Sequence, residues 1–346
     1  MSAILLQKAR VTCVYWERKV FVMVSVAEGS TSASAEKPVN WMRELAASPC
    51  EVVMTKITSE FFRLPSRPKS KEVLNFLKNF KSKRNKNRYR DVPCLDKTRV
   101  VLRNTSSDYI HANWVKLPSL QCNYILTQAP LENTMTDFWE MVWQERVEII
   151  ICLAQVIEKG RQKLHEYWPM EAEDKMQRYG RFCVKNTGVT TKEAYWVSLL
   201  ETMNTDTKEK RRVIHYLYLD WPDHRVLIRQ VNKEINVKNL PPAAIIVHCS
   251  AGVGRSGTLV ALQVLMKEID KNMTPNIRDV VNEIRKQRAM GVQAIEQYVF
   301  LYRAVISYAL SNCSMTINQK KEIYEQLDWL RESTTKSQCN LVSDDH

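Results

Sequence analysis

Residues 243–265 read AAIIVHCSAGVGRSGTLVALQVL. An apolar, β-branched run ends at His248, the small residues SAGVG follow Cys249, and from Arg255 onward apolar positions recur at helical spacing. A strand without polar alternation is buried on both faces, which happens where helices cover a parallel sheet. This stretch therefore places the chain among the α/β folds and puts Cys249 at the end of a buried strand. The segments RVVL, NYILTQ, VEIIICLA, AYWVSLLE and RRVIHYLYLD are rich in β-branched and aromatic residues and also read as strands. TMTDFWEMVWQER, with Phe138, Met141 and Val142 on one face, reads as a helix, as does QYVFLYRAVISYAL. In TPNIRDVVNEIRKQ, Thr274 is the expected N-cap and Pro275 the first helical residue.

With 346 residues, 45% hydrophobic and 26% charged, the chain can build one large packed domain. Residues 27–38, AEGSTSASAEKP, have the small, polar composition of a linker. The expected organisation is a flexible leader over 1–39, one α/β domain over 40–312 with a helical lead-in at 40–85, and a tail over 313–346. The tail holds an amphipathic helix, INQKKEIYEQLDWLRES, whose docking the sequence leaves open.

A formal net charge of +13 favours an anionic partner: phosphorylated protein, nucleic acid or an acidic membrane surface. The basic run KSKRNKNRYR carries no nucleic-acid motif and reads as a solvated surface, so nucleic acid is not the expected partner. Nine cysteines at 13, 50, 94, 122, 152, 183, 249, 313 and 339 form no CxxC pair. They suggest neither a disulfide framework nor a zinc ribbon, and read as reduced thiols of an intracellular, cytoplasmic protein. No stretch is apolar enough to cross a bilayer. RKVFVMVSVAEG offers an apolar core of only about seven residues and starts late, so it reads as a strand or a disordered leader rather than a signal peptide.

Chemistry concentrates at Cys249. A glycine-containing loop at a helix N-terminus can turn backbone N–H groups inward to bind a tetrahedral dianion. The guanidinium of Arg255 adds a planar fork for two phosphate oxygens. The same field favours thiolate over thiol, so cradle and nucleophile come from one stretch. The chemistry this suggests is attack of sulfur on phosphorus.

VHCSAGVGRSGT resembles the signature of the phosphotyrosine-specific protein tyrosine phosphatases. KNRYRDVPCLDKTRVVL, DYIHANWV, YILTQAPLENTMTDFWEMVWQE, YLDWPDH and VQAIEQYVFLYRAV resemble five further blocks of that family, in the same order from about residue 86 to 310. The resemblance implies a highly twisted mixed β-sheet flanked by helices on both sides, and hydrolysis of phosphotyrosine in proteins without metal or cofactor. It implies that Cys249 is the nucleophile, that Arg255 clamps phosphate together with the loop Ser250, Ala251, Gly252, Val253 and Gly254, and that Ser256 donates to the sulfur. His248 would orient the cysteine, although a core histidine at a strand end is the rival reading. Asp223 would be the general acid and then the base, with Trp221 beside the pocket. Gln293 and Gln297 would place the water, and Glu140 would pair with Arg255. Tyr89 would wall a slot deep enough for phosphotyrosine, Asp91 would bind substrate backbone, and Arg90 would favour acidic neighbours. The implied partners are tyrosine-phosphorylated proteins.

Some positions depart from the family pattern. Arg225 and Leu227 replace a usual glycine and proline of the acid loop, Ala129 replaces a glycine, and Met290 stands where a glycine borders the site. These departures question loop closure and pocket width while leaving the reacting groups in place. The alternative to an active enzyme is a phosphotyrosine-binding pseudophosphatase; a dual-specificity phosphatase is disfavoured by Tyr89 and its block.

Overall fold

Isoleucine and valine build the centre of the molecule. The computed structural model describes residues 11–16, 19–24, 36–65, 78–103, 105–120, 122–172, 175–192, 194–219, 244–312 and 315–342. Strands β1 (Val11–Trp16) and β2 (Lys19–Val24) pair antiparallel with each other. Helices α1 (Glu36–Ala46), α2 (Cys50–Arg63) and α3 (Lys78–Ser82) follow. The large sheet contains β3 (Arg99–Val101), β4 (Tyr109–Val115), β5 (Tyr124–Thr127), β6 (Ile149–Cys152), β9 (Gln177–Tyr179), β10 (Phe182–Thr191), β11 (Tyr195–Asn204), β12 (Lys210–Tyr218) and β13 (Ile245–His248). A short hairpin of β7 (Ile157–Glu158) and β8 (Arg161–Gln162) stands apart from it. The remaining helices are α4 (Met135–Gln144), α5 (Gly254–Asp270), α6 (Ile277–Gln287), α7 (Ile295–Asn312) and α8 (Ile317–Val342).

The sheet has nine strands in the order β3-β4-β5-β13-β6-β12-β11-β10-β9. Its central pairs, β5–β13, β13–β6 and β6–β12, are parallel, and the outer pairs are antiparallel. The sheet is therefore the expected twisted, mixed one, flanked by helices. Every residue of β5, β6 and β13 is buried, which is why these strands read as continuous apolar runs. Thr127, Cys152 and His248 lie side by side at their carboxyl ends. The three loops that leave these ends must therefore converge, and such a convergence is where open α/β sheets bind ligands.

Three local expectations are corrected. Helix α6 begins after Asn276, whose side chain accepts the Asp279 N–H at 3.1 Å, so Asn276 and not Thr274 is the cap. The lead-in starts at Glu36, before the expected boundary at residue 40. Strand β10 has no counterpart among the strands read from sequence, because FCVKNTGVTT is polar at half of its positions and carries no apolar run longer than three residues. The open question of the tail is also answered: α8 lies against α1, α2 and α7. It buries Ile323, Leu327 and Leu330, and Gln326 Nε2 donates to the carbonyls of Leu45 at 2.9 Å and Ser48 at 3.1 Å. Each such aliphatic side chain contributes about 1.5–3 kcal/mol when fully buried. No helix among the described residues is long and apolar enough to cross a membrane.

Candidate active site

Cys249 leaves the end of β13 with 6% of its surface exposed, and its Sγ accepts the Gly252 N–H at 3.3 Å. The loop is shaped from beneath. Arg288 is fully buried; its Nε donates to the Gly252 carbonyl and its Nη2 to the Ala251 carbonyl, both at 3.0 Å. Ala129 N–H holds the Ser250 carbonyl at 3.0 Å. In a trans peptide the carbonyl and the next N–H point in opposite directions. Drawing the carbonyls of residues 250, 251 and 252 outward therefore turns the N–H groups of Ala251, Gly252 and Val253 toward the interior of the loop, where a phosphate would sit. Gly252 has φ +68°, and a Cβ there would lie 1.9 Å from the Thr127 carbonyl oxygen, so no other residue fits. Helix α5 starts at Gly254 and adds its N-terminal dipole to the same point.

Arg288 is a residue that the sequence reading missed. Its remaining bonds go to Asn113 Oδ1 at 2.8 Å and His111 Nδ1 at 3.1 Å. Burial lowers the pKa of Arg288, and burial followed by the Arg288 charge lowers that of His111 to about 3. In sequence it is one basic residue among several in IRKQR, which reads as a solvated helix end.

Arg255 lies on the first turn of α5. Its Nη2 donates to Glu158 Oε2 at 2.7 Å, and its Nη1 donates to Glu158 Oε1 at 2.5 Å and to the Leu153 carbonyl at 2.8 Å. The fork is thus oriented through its terminal edge by the β7–β8 hairpin. Burial opposes ionisation of Glu158, but the hydrogen bonds and charge of Arg255 outweigh it and hold the pKa below the usual range; the same bonds raise that of Arg255. The expected Glu140–Arg255 pair is not formed. Glu140, on α4, is 4% exposed and accepts from Arg181 Nε at 3.0 Å and from Arg181 Nη2. The turn at Gly180 (φ +61°) between β9 and β10 brings Arg181 to that helix.

Tyr89 is placed by its neighbour. Arg88 donates from its backbone to Gln128 Oε1 at 2.9 Å, from Nε to the Ala129 carbonyl at 3.1 Å and from Nη2 to the Pro130 carbonyl at 2.9 Å. Tyr89 OH then meets Ser250 Oγ at 2.8 Å. Ser250 Oγ gives its single proton to the Lys163 carbonyl at 2.9 Å, so Tyr89 is the donor in that contact. Arg90 and Asp91 lie exposed beyond Tyr89.

His248 is buried, with Nδ1 3.1 Å from the Cys249 carbonyl oxygen and Nε2 2.5 Å from Tyr167 OH. Burial first, then the Arg88 charge, lower its pKa to about 4, against the pull of the Cys249 carbonyl. Ser256 makes no bond to the sulfur; its buried Oγ has no partner among the described residues. Gln297 Oε1 accepts the N–H groups of Gln293 at 2.9 Å and Ala294 at 3.2 Å, and its Nε2 lies against Gly254. Gln293 itself is exposed. Met290 adopts φ +64°, whereas Gly291 is required by crowding, since its Cβ would fall 2.6 Å from Ile284 Cγ2. Trp221, Asp223, Arg225 and Leu227 lie outside the described residues.

The site therefore combines a thiol, a ring of backbone donors and an oriented guanidinium at the carboxyl ends of the central strands. Comparison with known proteins agrees in kind. A profile described as "Protein-tyrosine phosphatase" matches residues 83–307. Human "Tyrosine-protein phosphatase non-receptor type 9" is 39% identical over 247 residues, 65% of this chain and 42% of its own length. Human "Tyrosine-protein phosphatase non-receptor type 2" is 35% identical over 254 residues, covering 71% and 61%. "Tyrosine-protein phosphatase 69D" of Drosophila melanogaster is 33% identical over 301 residues, covering 82% and 20%. The chain spans less than two thirds of the length of each of these relatives.

Proposed function

The chain belongs to the protein-tyrosine phosphatase family, and from that premise we propose that it hydrolyses phosphotyrosine in proteins through a cysteinyl-phosphate intermediate. The Cys249 thiolate attacks phosphorus, the bond from phosphorus to the tyrosyl oxygen breaks, and the Asp223 carboxylic acid gives that oxygen its proton. Water then gives a proton back to Asp223 and attacks phosphorus, the sulfur–phosphorus bond breaks, and phosphate and thiolate are released. The Ala251, Gly252 and Val253 N–H groups and Arg255 bind the equatorial oxygens as charge builds there. Gln297, with its Oε1 engaged, offers Nε2 to the water, and Gln293 supports that turn. Tyr89 walls the slot that selects a long aromatic phosphoester, with Arg90, Asp91 and Trp221 as further substrate contacts. The reading includes an intracellular setting, in keeping with the free thiols at Cys50, Cys94, Cys122, Cys152, Cys183 and Cys249.

The observation that carries this proposal is the sulfur of Cys249 under the Gly252 N–H, in a loop whose carbonyls are drawn outward. A binding-only pseudophosphatase is not favoured, because nucleophile, clamp and acid are all present in Cys249, Arg255 and Asp223. The test is hydrolysis of a phosphotyrosyl peptide. Cys249→Ser should abolish turnover and retain peptide binding, and Asp223→Asn should lower kcat by a factor on the order of 10²–10⁴, as for loss of one general acid. Unchanged kcat in either variant would overturn the assignment.

A further inference from the structure

His215 lies on β12, separated from β13 by β6, and is fully buried. Its Nε2 is 2.7 Å from Tyr167 OH, and the same hydroxyl is 2.5 Å from His248 Nε2. His248 Nδ1 in turn meets the Cys249 carbonyl oxygen at 3.1 Å. A tyrosine hydroxyl thus joins two histidines in a line that ends at the nucleophile's own backbone.

Hydrogen-bond chemistry gives this line one direction. A carbonyl only accepts, so His248 Nδ1 carries a proton. Burial keeps both rings neutral at ordinary pH, since it lowers His248 to about 4 and, as the largest cause, takes His215 well below the usual histidine range. Neutral His248 then has a bare Nε2, which accepts from Tyr167 O–H. The Tyr167 oxygen, having given its proton away, accepts from His215 Nε2–H. His215 Nδ1 is left bare, and it has no partner among the described residues. An unpaired nitrogen in a buried site costs free energy that an aliphatic side chain would not. The return for that cost is the single bond to Tyr167.

We propose that His215 is a positioning residue for Cys249, acting through Tyr167 and His248 by polarising a one-way chain of hydrogen bonds that ends on the Cys249 carbonyl. The inference rests on the phosphatase reading of the site. Chained hydrogen bonds strengthen one another. Donation from His215 makes Tyr167 a better donor, and His248 in turn withdraws electron density from the carbonyl nearest the sulfur, which favours negative charge there. The rings are held in line by packing. Trp168 stacks on His215 at 4.0 Å, Phe138 tilts against Tyr167 at 4.7 Å, and Trp139 Nε1 donates to the Tyr167 carbonyl at 2.8 Å. The other titratable groups acting on the line are Cys152 and Tyr179 at Tyr167, Arg88 at His248, and Arg255, Arg288 and Cys152 at Cys249. None of these is a hydrogen-bond partner of the His215 side chain, whose bond goes to Tyr167.

The experiment follows Cys249 alkylation by iodoacetamide against pH, beside kcat and KM on a phosphotyrosyl peptide. His215→Phe keeps a ring on Trp168 and removes the donor. It should raise the alkylation midpoint by about 0.5 unit, equivalent to about threefold slower labelling below the midpoint, the worth of a modest hydrogen bond acting at one remove. His215→Gln, which retains an N–H, should restore most of the shift. Tyr167→Phe should shift the midpoint at least as far, and adding His215→Phe to it should change nothing more, because the chain is already cut. An unmoved midpoint in His215→Phe, or a shift that adds fully to that of Tyr167→Phe, overturns the proposal. Should the phenylalanine variants not fold, isotope-labelled histidine spectra of the wild-type protein decide it. His215 must be the Nε2–H tautomer and His248 the Nδ1–H tautomer, and the reverse at either residue breaks the chain. A wild-type chain without hydrolytic activity would instead overturn the phosphatase reading, leaving tautomers and alkylation shifts to judge the chain itself.

Discussion

Cys249 differs from its fellow cysteines in what faces the sulfur. Burial raises Cys94 to about 11 and Cys152 to about 12, and is also the largest cause of the upward shifts at Cys50 and Cys122. The sulfur of Cys249 instead receives a backbone N–H and lies in the field of Arg255. At pH 6, iodoacetamide should therefore label Cys249 at least about tenfold faster than Cys50, Cys94, Cys122 or Cys152, because only the thiolate reacts. Peptide mapping after partial modification checks this, and even labelling across these five would contradict it. Met290 supplies a second test at this scale. A side chain in the left-handed region costs about 1–2 kcal/mol, which glycine avoids, while glycine loses about 0.5–1 kcal/mol through the entropy of the unfolded chain. Comparing Met290→Ala with Met290→Gly removes the side chain in both cases. The glycine variant should be the more stable by about 0.5–1 kcal/mol in urea unfolding. A more stable alanine variant would mean that residue 290 is not held at positive φ.

At the scale of elements, the pairing with Arg255 that the sequence assigned to Glu140 on α4 belongs instead to a carboxylate of the β7–β8 hairpin. Glu158, on the hairpin, orients Arg255, whereas Glu140 ties α4 to the turn before β10 through Arg181. Glu158→Gln should lower kcat/KM for a phosphotyrosyl peptide about tenfold with little loss of stability, since the pair it breaks is partly exposed. Glu140→Gln should do the reverse, lowering the unfolding midpoint while sparing kcat/KM, because its carboxylate is 6% exposed. Activity lost in Glu140→Gln at unchanged stability would restore the original assignment. The contrast shows what was legible in the sequence. Cys249, its loop and Arg255 form one continuous segment between a buried strand and a helix, so their geometry follows from local rules. Glu158 and Arg288 reach the site from other elements, across contacts that no spacing records. Strand β10 escaped detection for another reason: as an outer antiparallel strand it leaves many positions open to solvent, so its residues lack an apolar run.

For the whole molecule, three buried histidines set the response to acid. His111 on β4, His215 on β12 and His248 on β13 each join an element of the site to the sheet, and each is 1% exposed or less. Burial is the largest cause in all three, lowering His111 to about 3, His248 to about 4 and His215 well below its ordinary value. In the unfolded chain the same residues titrate near 6.5. Below that pH the unfolded state binds protons that the folded state refuses, so stability falls as pH falls. The loss begins near pH 6.5 and continues down to the folded pKa values, at about 4 for His248 and about 3 for His111. Each histidine contributes about 1.4 kcal/mol per pH unit at the steepest, so the three together approach about 4 kcal/mol per unit. Glu158, held low by Arg255, adds to the loss in the same direction at lower pH still. Urea midpoints measured between pH 7.5 and 5.5 should therefore drop steeply below about 6.5, and His215→Gln should remove roughly one third of the slope. A flat midpoint across that range would mean that the histidines take up protons in the folded state, and so are not held neutral by the core that also positions Cys249.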